Sequence, residues 1–222
     1  MYFIKEQLLH GCTEEDTMKY GMMPRIMWLL FHSSFEKALE TELHQKNGKE
    51  IMRKAHKRYK EILADVDEFD PRDRFLVNIL SCAMFSGVYL SLPEKPDVDA
   101  MTKYYSTAMD VPVMRPFVGR PGSHTQKKLD KLKRSAEFSQ SVTNPYSWHF
   151  VIEDGATPTD YTATFSTCGI CYLMKKLGIE EVTPAMCRYD YDMAQMSGTV
   201  FTRKFTLASG GPCCDCHYHH IQ

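Results

Sequence analysis

The segment YSWHFVIEDG, residues 146–155, is where the periodicity of the chain changes. Two sets of side chains alternate there. The large apolar residues Trp148, Phe150 and Ile152 form one set, and His149, Val151 and Glu153 form the other. A period of two is typical of a β-strand that buries one face. Asp154-Gly155 then supplies a turn. The segment therefore predicts that a β-sheet begins near residue 146.

Before this segment the chain has the pattern of helices. Apolar residues recur at spacings of three and four along one of them, at Ile51, Ala55, Tyr59, Ile62 and Val66. A second helix is predicted from Asp73 to Leu90, and its apolar surface on nearly all sides suggests a central position. A third helix opens with the capping-box pattern Ser123-His124-Thr125-Gln126.

After it, strands and short helices alternate. The strands are predicted at 161–167, 199–207 and 213–220, with the last two forming an antiparallel hairpin across Gly210-Gly211-Pro212. A helix from Cys168 to Leu177 ends at Gly178, and a short one begins at Thr183-Pro184. We therefore expect an α+β protein with a helical N-terminal half packed on a small antiparallel sheet. It forms a single domain over 1–222, mainly helical over 1–142, with the α+β part at 143–222.

Composition narrows the classes of partner. The chain has 222 residues, of which 43% are hydrophobic and 25% charged, and its formal net charge is −1. Those values suit one globular core and remove the electrostatic case for binding nucleic acid. The start, 1–10, has no long apolar stretch, and the apolar run 26–31 is too short for a bilayer. We expect no membrane association and a cytoplasmic location, where cysteines stay as thiols.

Cysteines are concentrated near the C-terminus. Six of the eight lie in the last quarter, at Cys168, Cys171, Cys187, Cys213, Cys214 and Cys216. Carboxylates and imidazoles lie among them, at Asp190, Asp192, Asp215, His217 and His219. Such side chains attack electrophiles, transfer protons and bind metals, so this segment is the candidate site. Cys12 and Cys82 receive no role.

Spacing divides these candidates between faces. On the last strand Cys214, Cys216 and Tyr218 point one way, and the opposite way point Cys213, Asp215, His217 and His219. Cys187 and Asp190 share one face of a helix. Arg203 lies on a strand face with apolar residues, where a guanidinium needs an acceptor. Two interpretations stay open for it: a clamp for a substrate carboxylate, or a structural pair with Asp190, Asp192 or Asp215.

A metal site is the alternative to catalysis by these groups. Four soft ligands, Cys168, Cys171, Cys187 and Cys214, would suit zinc in a metal-binding or small-ligand sensor module. Zinc or another divalent metal is thus a possible cofactor, although none is required. No phosphate-binding glycine loop or dinucleotide fingerprint occurs in the chain, so no nucleotide cofactor is expected.

The order of the C-terminal motifs resembles a known family. The motifs are Cys168-x-x-Cys171, Lys176-Leu177-Gly178-Ile179-Glu180-Glu181-Val182-Thr183-Pro184, Cys187-x-x-Asp190, Arg203, Thr206-Leu207-Ala208-x-Gly210-Gly211 and Cys214-Asp215. Together they resemble the L-2-amino-thiazoline-4-carboxylic acid hydrolase family over about residues 145–220. The resemblance implies an enzyme of cysteine metabolism that opens a cyclic isothiourea to N-carbamoyl-L-cysteine.

The implied reaction assigns hypothetical roles to the candidate residues. A thiolate from Cys168, Cys187 or Cys214 would attack the ring carbon, with Cys171 beside it. Either Asp190 or Asp215 would transfer protons, and Arg203 would bind the substrate carboxylate. The expected partner is a small-molecule substrate, and the sequence leaves assembly into a homo-oligomer open.

Overall fold

The structure is a computed structural model that describes residues 20–119, 125–157 and 160–220. Six helices come first, α1 (Met22–Thr41), α2 (Gly48–Ala64), α3 (Leu76–Ser91), α4 (Val98–Met109), α5 (Met114–Val118) and α6 (Gln126–Ser139). Strands and helices follow, β1 (Phe150–Asp154), β2 (Tyr161–Phe165), α7 (Gly169–Lys176), α8 (Thr183–Met196), β3 (Thr199–Thr202) and β4 (Cys214–His220). Short 3₁₀ helices at Glu180–Val182 and Leu207–Ser209 precede α8 and β4. The predicted α+β class is confirmed.

The four strands form one antiparallel sheet in the order β1-β2-β4-β3. Phe165 of β2 lies opposite Phe150 on one side and opposite Cys214 on the other. On the last pair, Phe201 lies opposite Tyr218. One face of the sheet packs with α8 around a small cluster of buried residues that includes Ala194 and Phe201. The alternation read from the sequence therefore places the same side chains inward as the structure does.

The central helix is α3, as its apolar sequence predicts. Every residue from Ile79 to Tyr89 is buried, because α2 covers one side of α3 and α1 and α7 cover others. Gly87 lets the backbones of α2 and α3 approach closely, since a Cβ there would lie 2.9 Å from the carbonyl oxygen of Ala55. One hydrophobic cluster continues from these helices into Trp148, α7 and α8. The helical half and the α+β half thus share a core.

Several boundaries differ from the sequence expectations. The strand expected over 199–207 ends at Thr202, because Asp215 accepts hydrogen bonds from the backbone N–H groups of Lys204 and Phe205. These groups are therefore unavailable to the sheet, and a longer connection replaces the tight glycine turn. Helix α6 is capped by Thr125, whose hydroxyl accepts from the Lys128 N–H. The Ser123 and His124 of the expected capping box lie outside the described residues.

Helix α8 is longer than the short helix that the sequence predicts. It begins at Thr183, with Val182 at the N-cap, and it runs for 14 residues to Met196. Its length lets it pack against α4 on one side and against β3 on another. This helix therefore joins the helical layer to the sheet. None of the helices in the described ranges combines the length and the apolarity that a membrane crossing needs.

Candidate functional site

Five cysteines from three elements converge beside α8. Cys168 is the N-cap of α7 and interacts with Cys171, one turn into that helix. Cys187 comes from α8, and Cys214 and Cys216 come from the inward face of β4. Cys168, Cys187 and Cys214 are close enough to interact electrostatically with one another. We call these five residues the cysteine cluster.

A buried ion pair lies beside the cysteine cluster. Arg203 Nη1 is 2.6 Å from Asp190 Oδ2, and Arg203 Nη2 donates to the carbonyl oxygen of Cys187 at 2.5 Å. The guanidinium also lies 5.3 Å from the ring centres of Tyr191 and Phe201. Only 6% of the Arg203 side chain is exposed, so these contacts compensate its burial. Of the alternatives left open by the sequence, the structure thus shows the pair with Asp190.

Asp190 also faces open space. Although protein atoms surround it, 35% of its side-chain surface remains accessible, and the residue lines a cavity of about 210 Å³. Burial raises the pKa of Asp190 above its usual value, and Arg203 opposes part of that shift. A carboxyl group in such surroundings exchanges a proton more readily near neutral pH than an ordinary surface aspartate does.

The cavity is otherwise almost entirely apolar. Its walls come from α1, α3, α4, α5, the start of α7 and α8, and include Met27, Leu30, Phe31, Val77, Leu80, Met109, Met114, Ile170, Met186 and Met193. The polar atoms include the hydroxyls of Ser81 and Tyr105, which are hydrogen-bonded to each other at 2.6 Å. Among the described lining residues Asp190 supplies the one carboxylate, and no lysine, arginine or histidine is present.

Four thiols of the cysteine cluster, those of Cys168, Cys187, Cys214 and Cys216, are held mainly in the neutral form. Burial raises the pKa of Cys187 and of Cys214, and it raises the pKa of Cys216 to about 12. For Cys168 the hydrogen bond with Cys171 is the larger cause of a raised pKa, and burial adds to it. A low-pKa thiolate at the start of α7, which the helix position alone would favour, is therefore opposed by the environment.

The structure separates one predicted proton-transfer residue from the others. Asp215 lies on the opposite face of β4, where it accepts from the N–H groups of Phe205 at 2.6 Å and of Lys204 at 3.1 Å. Burial disfavours its charge, but these backbone donors outweigh that effect, so the pKa of Asp215 lies below its usual value. His217 is exposed on the same face. The Asp215 side chain thus stabilises the connection after β3 and points away from the face of β4 that carries Cys214 and Cys216.

Two features of the site had weak or no signals in the sequence. Cys216 lies on the strand face that the sequence predicts and is close enough to Arg203 to interact with it electrostatically, but no motif assigns it a role. The cavity walls supplied by α1 could not be found from motifs, because Met27 and Leu30 are far from Asp190 along the chain. Among the described residues, no group of three or more His, Cys, Asp or Glu side chains is arranged to hold a metal ion. The zinc alternative stays a prediction.

Comparison with known proteins addresses the family. A family model described as L-2-amino-thiazoline-4-carboxylic acid hydrolase matches residues 95–218, which is more than half of the chain. This range starts just before α4 and includes the cysteine cluster, Asp190 and Arg203. Neither the curated proteins nor the solved structures contain a significant match. The length of the family match shows that the chain belongs to the L-2-amino-thiazoline-4-carboxylic acid hydrolase family.

Proposed function

We propose that this protein is a small-molecule hydrolase that opens a C–S or C–N bond of a cyclic isothiourea or a related amidine. Membership of the family supports the reaction class. The observation that carries the proposal is the position of Asp190, which lines the cavity while Arg203 holds one of its oxygen atoms. A general base must lie on the wall of the substrate cavity in a fixed orientation, within a space that partly excludes water.

Asp190 would act as the group that transfers a proton. In the proposed first step a water molecule gives a proton to the Asp190 carboxylate while its oxygen bonds to the amidine-like carbon. The C=N π electron pair moves to the ring nitrogen during this attack. The hydroxyl proton of the tetrahedral intermediate then passes to that nitrogen as the carbonyl forms, the C–S bond breaks, and its electron pair goes to sulfur. The sulfur takes up the proton held by Asp190, which restores the carboxylate. Applied to L-2-amino-thiazoline-4-carboxylate, this sequence adds one water and yields N-carbamoyl-L-cysteine.

The proposal assigns the attack to water, not to a thiol. None of the five cysteines lines the cavity, whereas Asp190 does. The raised pKa values of Cys187 and Cys214 also make their thiolates scarce near neutral pH. A covalent route by Cys168, Cys187 or Cys214 makes a different prediction, because ring opening by a thiol adds the mass of the whole substrate to the protein. Intact-protein mass spectrometry after acid quenching separates the two routes.

Arg203 is proposed as a positioning residue. Its two terminal nitrogens already donate to Asp190 and to the Cys187 carbonyl, and only 6% of its side chain is exposed, so a substrate carboxylate has little access to its remaining N–H groups. Holding Oδ2 leaves Asp190 Oδ1 directed to other partners. The bidentate geometry of a guanidinium suits this task better than a lysine ammonium.

The test is ring opening detected by liquid chromatography and mass spectrometry. The purified protein is incubated, with and without a chelator, with L-2-amino-thiazoline-4-carboxylate and with ring analogues that lack the carboxylate. We expect a product heavier by one water from at least one of them. Asp190→Asn should lower kcat by ~10²–10⁴-fold, the usual range for losing a general base.

Asp215→Asn is the matched control, since it removes a carboxylate that belongs to another of the family-like motifs and does not line the cavity. It should retain most of the turnover. A larger loss in Asp215→Asn than in Asp190→Asn would contradict the assignment of the base. A protein adduct that disappears in one Cys→Ser variant would replace water with that thiol. No product from any analogue would reject the proposed hydrolase.

A further inference from the structure

We infer that the substrate of this hydrolase carries an uncharged, apolar substituent and lacks the carboxylate of the compound that gives the family its name. The inference rests on the proposed function and specifies the substrate class of the same site. It comes from the charges and the apolar surface of the cavity that Asp190 lines. The substrate class is an apolar derivative of a cyclic isothiourea or amidine.

The described walls of the cavity offer no cation to a substrate carboxylate. Its described lining residues include no lysine, arginine or histidine, and Asp190 is the one charged side chain among them. The nearest guanidinium, that of Arg203, is 6% exposed and already bound to Asp190 and to the Cys187 carbonyl. A carboxylate in this space would have no cationic partner among the described lining residues and would be repelled by Asp190.

An isothiourea or amidine group, unlike a carboxylate, is attracted by the negative charge of Asp190. Its protonated form is a cation with several N–H donors, which match a carboxylate oxygen. Arg203 occupies Oδ2 of Asp190, a residue that lines the cavity and keeps 35% of its side chain accessible. The charged end of such a substrate is therefore directed to the wall formed by α8.

The remaining walls fit an apolar substituent. They are built largely of flexible methionines and aliphatic side chains, among them Met27, Leu30, Leu80 and Met193. Methionine adapts to irregular apolar shapes, so these walls suit ligands of variable outline. The volume of about 210 Å³ is far above the ~10–15 Å³ needed to admit one water molecule. A compact polar heterocycle would leave much of this surface without contacts.

The mouth of the cavity lies at α1. Ile26 and Leu30, which line it, are exposed by 39% and 48%. Another segment of the chain or a second copy could also fill the cavity. Such packing would not need a partly accessible carboxylate with a raised pKa on the inner wall. An amphiphilic small molecule uses both the carboxylate and the apolar walls. We therefore assign the cavity to the substrate.

The test compares two substrates that differ at one position. The kcat/KM for 2-amino-4-phenyl-thiazoline is measured beside that for the 4-carboxylate, and calorimetry gives the affinity of each. We expect the phenyl compound to be favoured at least about tenfold, because it buries apolar area where the carboxylate would lose hydration. Leu30→Lys places a cation at the mouth and should lower this preference at least about tenfold.

Leu29→Lys is the matched control. Leu29 neighbours Leu30 on α1 and is 69% exposed, but it does not line the cavity. It should leave the preference unchanged. Faster turnover of the carboxylate compound by the wild-type protein would overturn the inference and leave the hydrolase proposal standing. Binding of the phenyl compound without ring opening, sensitive to Leu30→Lys alone, would support the ligand class and reject the hydrolase.

Two other outcomes also decide against the inference. If neither compound binds in calorimetry, the cavity is not the site of an apolar amidine. If light scattering shows a dimer that Leu30→Lys dissociates and Leu29→Lys does not, and neither compound binds, the cavity mouth is an interface between two copies of the chain.

Discussion

Asp190 shows how a single residue acquires its properties from its surroundings. Its place three residues after Cys187 sets the helix face, but burial raises its pKa and Arg203 limits that rise. Arg203 also orients Asp190, because the guanidinium binds both Asp190 Oδ2 and the backbone carbonyl of Cys187. The pKa and the orientation of this carboxyl group therefore depend on α8 together with the segment after β3.

The raised pKa of Asp190 predicts the acidic limb of the pH profile. Turnover needs the carboxylate, which is lost as the pH falls through the pKa in the folded protein, so the limb should lie above the usual aspartate value. In Arg203→Lys the carboxylate loses the hydrogen bond from a guanidinium that is also anchored to the Cys187 carbonyl oxygen, and the limb should move to higher pH. The measurement is kcat/KM against pH for both proteins. An unshifted limb in Arg203→Lys would remove Arg203 from the positioning of Asp190.

At the scale of elements, close backbone approach decides where the helices lie. Gly169, between Cys168 and Ile170, sits so near Tyr146 that a Cβ there would overlap the Tyr146 carbonyl oxygen. That contact places the start of α7, and hence Cys168, against the chain that leads into β1. The contact of α2 with α3 at Gly87 is of the same kind, and it brings the central helix into place.

Gly87→Ala should destabilise the protein. The added Cβ would lie 2.9 Å from the Ala55 carbonyl oxygen, which is backbone and cannot rotate away, so α2 and α3 must separate. We expect a loss of ~1–3 kcal/mol in the free energy of unfolding, as for other overpacked core positions. Gly48→Ala is the control, because its nearest neighbour is the flexible Glu36 side chain at 3.4 Å. Urea denaturation that finds equal effects for both would contradict the packing argument.

At the scale of the whole molecule, both halves contribute to one core. Trp28 of α1 and Trp148, which precedes β1, are buried in the same cluster, and Trp148 stacks on Phe75 with ring centres 4.6 Å apart. Since neither half buries this surface alone, we predict a single cooperative unfolding transition for the domain.

Single-tryptophan variants test that prediction. Trp148→Phe leaves Trp28 to report on the helical half, and Trp28→Phe leaves Trp148 to report on the entry to the sheet. In each variant the fluorescence midpoint in urea should coincide with the midpoint from far-ultraviolet circular dichroism. Separate midpoints within one variant would show two independently unfolding units.

The sequence by itself determined the α+β class, the central position of α3 and the direction of each side chain on β4. These are local properties, because the spacing of apolar residues sets which face of a helix or strand can be buried. Cys214 and Cys216 could therefore be assigned to one face and Asp215 to the other. Ordered motifs also identified the family.

Only the tertiary structure decided which candidates meet. Sequence left Asp190 and Asp215 equivalent, and it left Arg203 between substrate binding and an internal ion pair. The structure joins Arg203 to Asp190, turns Asp215 to the backbone of the connection after β3, and encloses the cavity with side chains from α1. The physical reason is that ion pairs, burial and cavity walls depend on contacts between segments far apart in the chain, which no local period records.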